Sequence, residues 1–215
     1  MKKSIILMIV IIIAMINKSS AQDNPTDFRD MLMFGMKVGT NYSNVYDTKG
    51  EAFQANGKFG FAAGAFIVIP IGKFLGLQPE VLLSQKGFSA TGGILGSTHY
   101  EFTRTTTYLD VPLFVSLKPS EFFTIMAGPQ FSYLIKQKDV FANGTTSTLQ
   151  EQEFNNENPR KNTLCFTGGI DITLKHIVLG PRVGWDILNN NGDGSSTTPR
   201  YKNVWYQLTI GYRFY

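Results

Sequence analysis

The chain reads as an all-β fold, an eight-stranded antiparallel up-and-down transmembrane β-barrel, on three observations. The last fifteen residues, Tyr201 to Tyr215, form one long alternating segment that ends on aromatics. Its even positions from 204 to 214 are Val, Tyr, Leu, Ile, Tyr and Phe, and its odd positions from 205 are Trp, Gln, Thr, Gly, Arg and Tyr. Two-residue alternation means a strand with one apolar and one polar face, and about ten such residues suffice for a tilted strand to cross a bilayer. The second observation is that seven similar segments precede it. The third is a secretory start to the chain.

Lys2 and Lys3 make a positive head, Ser4 to Ile16 an uncharged apolar stretch, and Ser19-Ser20-Ala21 a small-residue cleavage site. The apolar stretch is well short of the ~20 residues a spanning helix needs. Residues 1–21 are therefore expected to be a cleaved signal peptide and residues 22–215 the barrel domain, with 22–32 a short polar lead-in. The signal holds three of the 20 basic residues and no acid, leaving 17 bases against 16 acids in the remainder. That balance, without a basic run, argues against nucleic acid as a partner. Cys165 is the sole cysteine, so no internal disulfide forms.

Strands are expected near 33–43, 58–70, 74–87, 102–118, 121–136, 162–174, 177–189 and 201–214. The connections alternate in length. Those at Pro70–Lys73, Lys118–Glu121 and Leu174–His176 are tight, whereas residues 44–57, 88–101, 137–161 and 190–200 are long and polar. Bacterial barrels place short turns in the periplasm and long loops outside, which would put both termini in the periplasm.

Alternation alone does not say which face meets lipid, since a secreted lipocalin-like barrel has the same period with its apolar side inside. Volume decides first. Phe34, Met36, Val38, Phe59, Phe61, Val81, Leu83, Val111, Leu113, Phe131, Leu208 and Ile210 are part of a face too bulky for a bore that eight strands only just close around. Glycine decides second: Gly35, Gly39, Gly60, Gly64, Gly128, Gly169, Gly180, Gly184 and Gly211 share the other face, where crowding favours them. Charge decides third. Lys37, Lys86, Arg182 and Arg213 stand on that face with Glu80, Asp110, Asp171 and Asp186, a matched set that could pair in a closed lumen. This lumen ion-pair network reads either as a plug that locks strand register or as a narrow path for ions; lumens of this strand number are filled by side chains, which favours the plug. Pro79, Pro112, Pro129 and Pro181 fall within strands and suggest local bulges, or strand limits displaced by a few residues.

Gly35-Met36-Lys37-Val38-Gly39, Leu77-Gln78-Pro79-Glu80-Val81, Ser84-Gln85-Lys86-Gly87, Tyr108-Leu109-Asp110-Val111-Pro112-Leu113 and Ala127-Gly128-Pro129 resemble the PorT-like outer-membrane β-barrel family of Gram-negative bacteria, with the OmpA/OmpX-type eight-stranded architecture. The resemblance spans nearly the whole mature chain. It implies an outer-membrane barrel and a link to protein secretion, with secretion or other envelope proteins as partners. The last strand also resembles the signal read by the barrel-assembly machinery, on Gly211, Tyr212, Phe214 and Tyr215, with shorter spacing after the glycine. Outer-membrane lipid is the remaining expected partner.

Other chemistry is thinly marked. His99 beside Ser97 is expected in a long loop, and a lone pair of this kind is more often an exposed loop histidine than a catalytic site. His176 reads as a turn residue. Asn189 to Gly194 mimics the start of a calcium loop, but Arg200 stands where a bidentate acid is needed. Asn143-Gly144-Thr145 is a glycosylation sequon without meaning in a bacterial barrel. No phosphate loop, zinc spacing or dinucleotide fingerprint is present, and no cofactor is expected. Three functions follow: a non-enzymatic structural, adhesion or assembly-partner barrel; a small ion-conducting porin; and a loop-borne hydrolase or acyltransferase.

Overall fold

The computed structural model describes residues 27–46, 54–94, 98–142, 160–190 and 201–214. Eight strands follow one another: β1 (Met33–Tyr46), β2 (Gln54–Pro70), β3 (Leu75–Ile94), β4 (Thr98–Leu117), β5 (Phe123–Ala142), β6 (Asn162–Leu174), β7 (Ile177–Asp186) and β8 (Lys202–Phe214). Each pairs antiparallel with its sequence neighbour, and β1 closes on β8 from Phe34↔Phe214 to Tyr46↔Lys202. Closure leaves no edge in the membrane, where an unpaired backbone group would find no water.

The expected face is the one that points outward. Met36, Val38, Phe59, Val81, Leu113, Val115, Phe131, Leu208 and Ile210 are exposed, while Lys37, Glu80, Asp110 and Arg182 are buried. On β4 the apolar outer face runs eight steps from Leu117 to Leu109, about 27 Å along the strand and about 21 Å along the normal at a ~40° tilt, close to the ~25 Å band of such barrels. Tyr42, Tyr133, Trp185 and Tyr206 mark its loop end, and Phe74, Phe122, Tyr212 and Phe214 its turn end, all exposed.

Three strands outrun the membrane. β3, β4 and β5 have 20 residues each, against 10 in β7. The spans expected to be polar loops at 88–101 and 137–161 are therefore partly strand. Alternation persists there, but its sense inverts: Phe88, Ala90 and Phe102 are buried inside, while Ser89 and Thr103 hydrogen-bond at 3.0 Å on the outer side. With water rather than hydrocarbon outside, the apolar groups turn in. His99 accordingly lies on β4, opposite Gly93, rather than in a loop; Ser97, Asn143 to Thr145 and residues 191–200 fall outside the described residues.

Among the described residues, register shifts occur at two places, between Gly57 and Ala62 of β2 and between Thr107 and Tyr108 of β4. Neither falls at a proline. Pro79↔Leu113, Pro112↔Gln130, Pro129↔Phe166 and Pro181↔Leu208 all sit in unshifted register, so the expected bulges at prolines are not found. At β4–β5, Thr107 faces Lys136 and Tyr108 faces Leu134, which leaves Ile135 as the extra residue.

Candidate functional site

The bore is filled in layers. At the turn end Met33, Phe66, Val68 and Val178 form an apolar plug, completed by Phe28 from a 3-10 turn, Phe28–Asp30. That turn crosses the mouth like a strap. Lys118 Nζ donates to the Arg29 carbonyl at 2.8 Å, and Asp27 binds Arg29 at 2.6 Å and Lys73 at 3.0 Å. The Arg29 guanidinium holds the Asp27 carboxyl well below the usual carboxylate range. Burial pushes the Lys118 ammonium down, with Arg213 and Arg29 acting in the same direction. Under the strap lies a cavity of about 130 Å³, lined in part by Phe28, Met33, Gln78, Lys118, Asp171 and Arg213.

Above it sits an ionic layer. Lys37 Nζ is 2.5 Å from Glu80 Oε2, and Arg182 is 2.5 Å from Asp171 and 3.9 Å from Glu80. Gln78 Nε2 donates to both acids, at 2.9 and 3.2 Å. Two glycines admit rings that cap lysines, Phe66 over Lys37 in this layer and Trp205 over Lys86 in the next. A Cβ on Gly35 would meet the Phe66 ring at 2.2 Å, and one on Gly184 the Trp205 ring at 2.3 Å. Lys37 lies over Phe66 at 5.3 Å and Arg182 over Phe114 at 5.5 Å, so aromatic faces supply negative potential where water is excluded.

The next layer joins Lys86 to Asp110 at 3.1 Å, with Lys86 3.7 Å above the Trp205 ring. Asn41 donates to Ser84 and accepts from Gln207, both at 2.9 Å. Asp186 accepts from the Asn203 backbone at 2.9 Å, from its amide at 2.6 Å and from Cys165 at 3.1 Å. Its hydrogen-bond partners are neutral donors. At the loop end Arg104 forks onto Asp139 at 2.8 and 2.9 Å and donates to the Tyr201 hydroxyl at 2.5 Å.

Of the sequence-predicted set, the fold thus brings together Lys37, Glu80, Asp171 and Arg182 in one cluster and Lys86 with Asp110 in a second. Asp186 shares the layer of Lys86 and takes its hydrogen bonds from neutral donors, Asn203 and Cys165, and Arg213 lines the mouth cavity. Gly211 faces inward, 3.3 Å from the Lys37 side chain for an added Cβ. Tyr212 and Phe214 face outward, Tyr212 stacked on His176 at 5.1 Å; Tyr215 lies outside the described residues. Sequence reasoning missed the Arg104–Asp139 pair. Arg104 shares even parity with Asp110 on β4 and was findable. Asp139 was not, because the extra residue at Ile135 flips the face of everything after it. The inward rings of Phe66, Phe88, Phe102, Phe114 and Trp205 also show a bore more aromatic than its polar pattern suggested. Among the described residues no three His, Cys, Asp or Glu groups gather as a metal site.

The outer membrane protein beta-barrel domain family matches residues 20–212. The chain belongs to that family. Its place is accordingly the outer membrane. Among curated proteins none matches. Among solved structures, the chain is similar to Ail, the attachment invasion locus protein of Yersinia pestis, at 12% identity and a TM-score of 0.45, covering 85% of this chain and 98% of that one. It is similar to OprG from Pseudomonas aeruginosa at 12% and 0.44, covering 86% and 96%. Neisserial surface protein A follows at 9% and 0.42, covering 84% and 97%. The membership rests on the family match and on the closed eight-strand topology.

Proposed function

We propose that the chain is an exported, non-enzymatic outer-membrane barrel with a closed bore, which acts as a structural or assembly partner of other envelope proteins. Residues 1–21 are its cleaved signal, its turn end and termini face the periplasm, and its loop end faces outward. The observation that carries this reading is the ionic layer of Lys37, Glu80, Asp171 and Arg182, buried and capped by rings at mid-bore. Buried charges paired with one another hold strands in register, whereas a conducting path needs sites weak enough to release an ion. A rigid, filled barrel leaves its loops, its turns and the strapped mouth as contact surfaces.

The resemblance to PorT-like sequences supports a secretion apparatus as the source of such partners, and Gly211, Tyr212, Phe214 and Tyr215 as the strand read by the barrel-assembly machinery. Two experiments test the reading. Planar-bilayer recording of the purified chain is expected to give no steady conductance. Steps that change size in Glu80→Gln or Arg182→Gln would overturn the closed bore in favour of a small porin. Cross-linked pull-down from native outer membranes is expected to recover envelope proteins in stoichiometric amount, and recovery of lipid alone would count against the partner role.

A further inference from the structure

We propose that the outer face of β2, β4 and β5, just beyond the loop end of the apolar band, binds the phosphates of an anionic outer-leaflet lipid through Lys58, Lys136 and Lys138. The inference rests on the orientation proposed above, loop end outward.

The lysines converge by construction. Thr105 points outward, since its neighbours Arg104 and Thr106 are buried in the bore. Lys58 Nζ donates to Thr105 Oγ1, reaching from β2 to β4. Thr105 is the ladder partner of Lys138, and Thr107 that of Lys136. Directly opposed residues stand ~5 Å apart at Cβ, so the three ammonium groups share one patch with the hydroxyls of Thr105 and Thr107. Lys136 and Lys138 are exposed. The bulge at Ile135 makes the patch uniformly positive: it turns Asp139 inward onto Arg104 and leaves both lysines outside. Among the described side chains, no carboxylate faces it.

The height of the patch selects the ligand. Lys58 directly precedes Phe59, which is 70% exposed, and Lys136 directly follows Ile135, 53% exposed. Cations therefore begin where the acyl-facing surface stops, at headgroup level, where lysine and arginine attract anionic lipid. A phosphorylated lipid could lay its chains on Phe59, Phe61, Tyr133 and Ile135 and its phosphates on the lysines. A soluble phosphate would gain nothing from the apolar half of this surface.

The test uses the purified full-length barrel in neutral detergent, with diphosphoryl lipid A and its dephosphorylated form as probes, bound lipid being counted by native mass spectrometry. Each lysine at an anionic surface contributes roughly fivefold, so neutralising three lowers affinity on the order of a hundredfold. The triple variant Lys58→Gln, Lys136→Gln, Lys138→Gln is expected to lose lipid A to that degree, and the triple arginine variant to keep it. A turn-end control, Lys73→Gln with Lys175→Gln, is expected to bind as the parent does. Equal binding by the triple glutamine variant, or equal binding of the dephosphorylated lipid, overturns the proposal. Orientation is read separately on whole cells with Val140→Cys and an impermeant maleimide. Labelling supports the outward loop end. Absence of labelling in a folded barrel overturns that orientation and with it the outer-leaflet ligand, even if lipid A binds in detergent.

Discussion

Removing the negative charge of Glu80 probes the bore most directly. Glu80 is almost fully buried, 2.5 Å from Lys37, 2.9 Å from Gln78 and 3.9 Å from Arg182. Glu80→Gln keeps the volume and a contact to Gln78 but leaves a buried ammonium facing a guanidinium. Breaking a buried pair from one side costs about 3–5 kcal/mol. Asp171 remains to balance Arg182 at 2.5 Å, so the lower end, about 3 kcal/mol or two decades in the folding constant, is expected. The assay is urea-dependent folding into lipid vesicles followed by the fluorescence of the only two tryptophans, Trp185 and Trp205, one facing lipid and one in the bore. The apolar double variant Lys37→Met with Glu80→Leu should recover most of the loss, since a buried pair is often no better than a packed apolar substitute. A single-variant loss below about 1 kcal/mol, or a double variant as unstable as the single, would refute the claim that these charges are dry and mutually dependent.

Other outcomes follow from particular contacts. Gly35→Val would drive a side chain into the Phe66 ring, 2.2 Å from an added Cβ; overpacking of this kind costs roughly 1–3 kcal/mol or prevents folding, read as loss of the heat-modifiable band on gels. Lys175 has a φ of 55° in the β6–β7 turn; Lys175→Gly should stabilise the barrel by about 0.5–1 kcal/mol in the same urea assay. The strap has a defined pH response. The folded Asp27 carboxyl titrates below its ordinary value, so the Asp27–Arg29–Lys73 clasp is present above the unfolded carboxyl range and is lost only as pH falls through the depressed folded value. Protection of Arg29 from an acid-tolerant protease at pH 4 should match that at pH 7 in the parent and fall in Asp27→Asn at both.

The spans, their order and their lipid-facing side were legible in the chain because two-residue alternation, bulky outer residues and tight-turn signals are local properties. Once bulk and glycine had fixed the outer face, parity assigned Lys37, Glu80, Asp110, Asp171 and Arg182 to the bore. Partnership could not: whether Lys37 meets Glu80 or Asp171, or Asp186 meets a cation or the amide of Asn203, depends on stagger between strands far apart in sequence. The polar outer positions of β3, β4 and β5 looked like loops because water-facing strand and loop share a composition. Asp139 was hidden for a further reason. One extra residue at Ile135 reverses the face of all that follows, and a bulge leaves no mark in alternation until the neighbouring strand shows what each residue opposes. The closed topology, the layering of charge against aromatic rings, and the lysine patch beyond the apolar band all depend on that pairing, which arises only when eight separate spans are brought side by side.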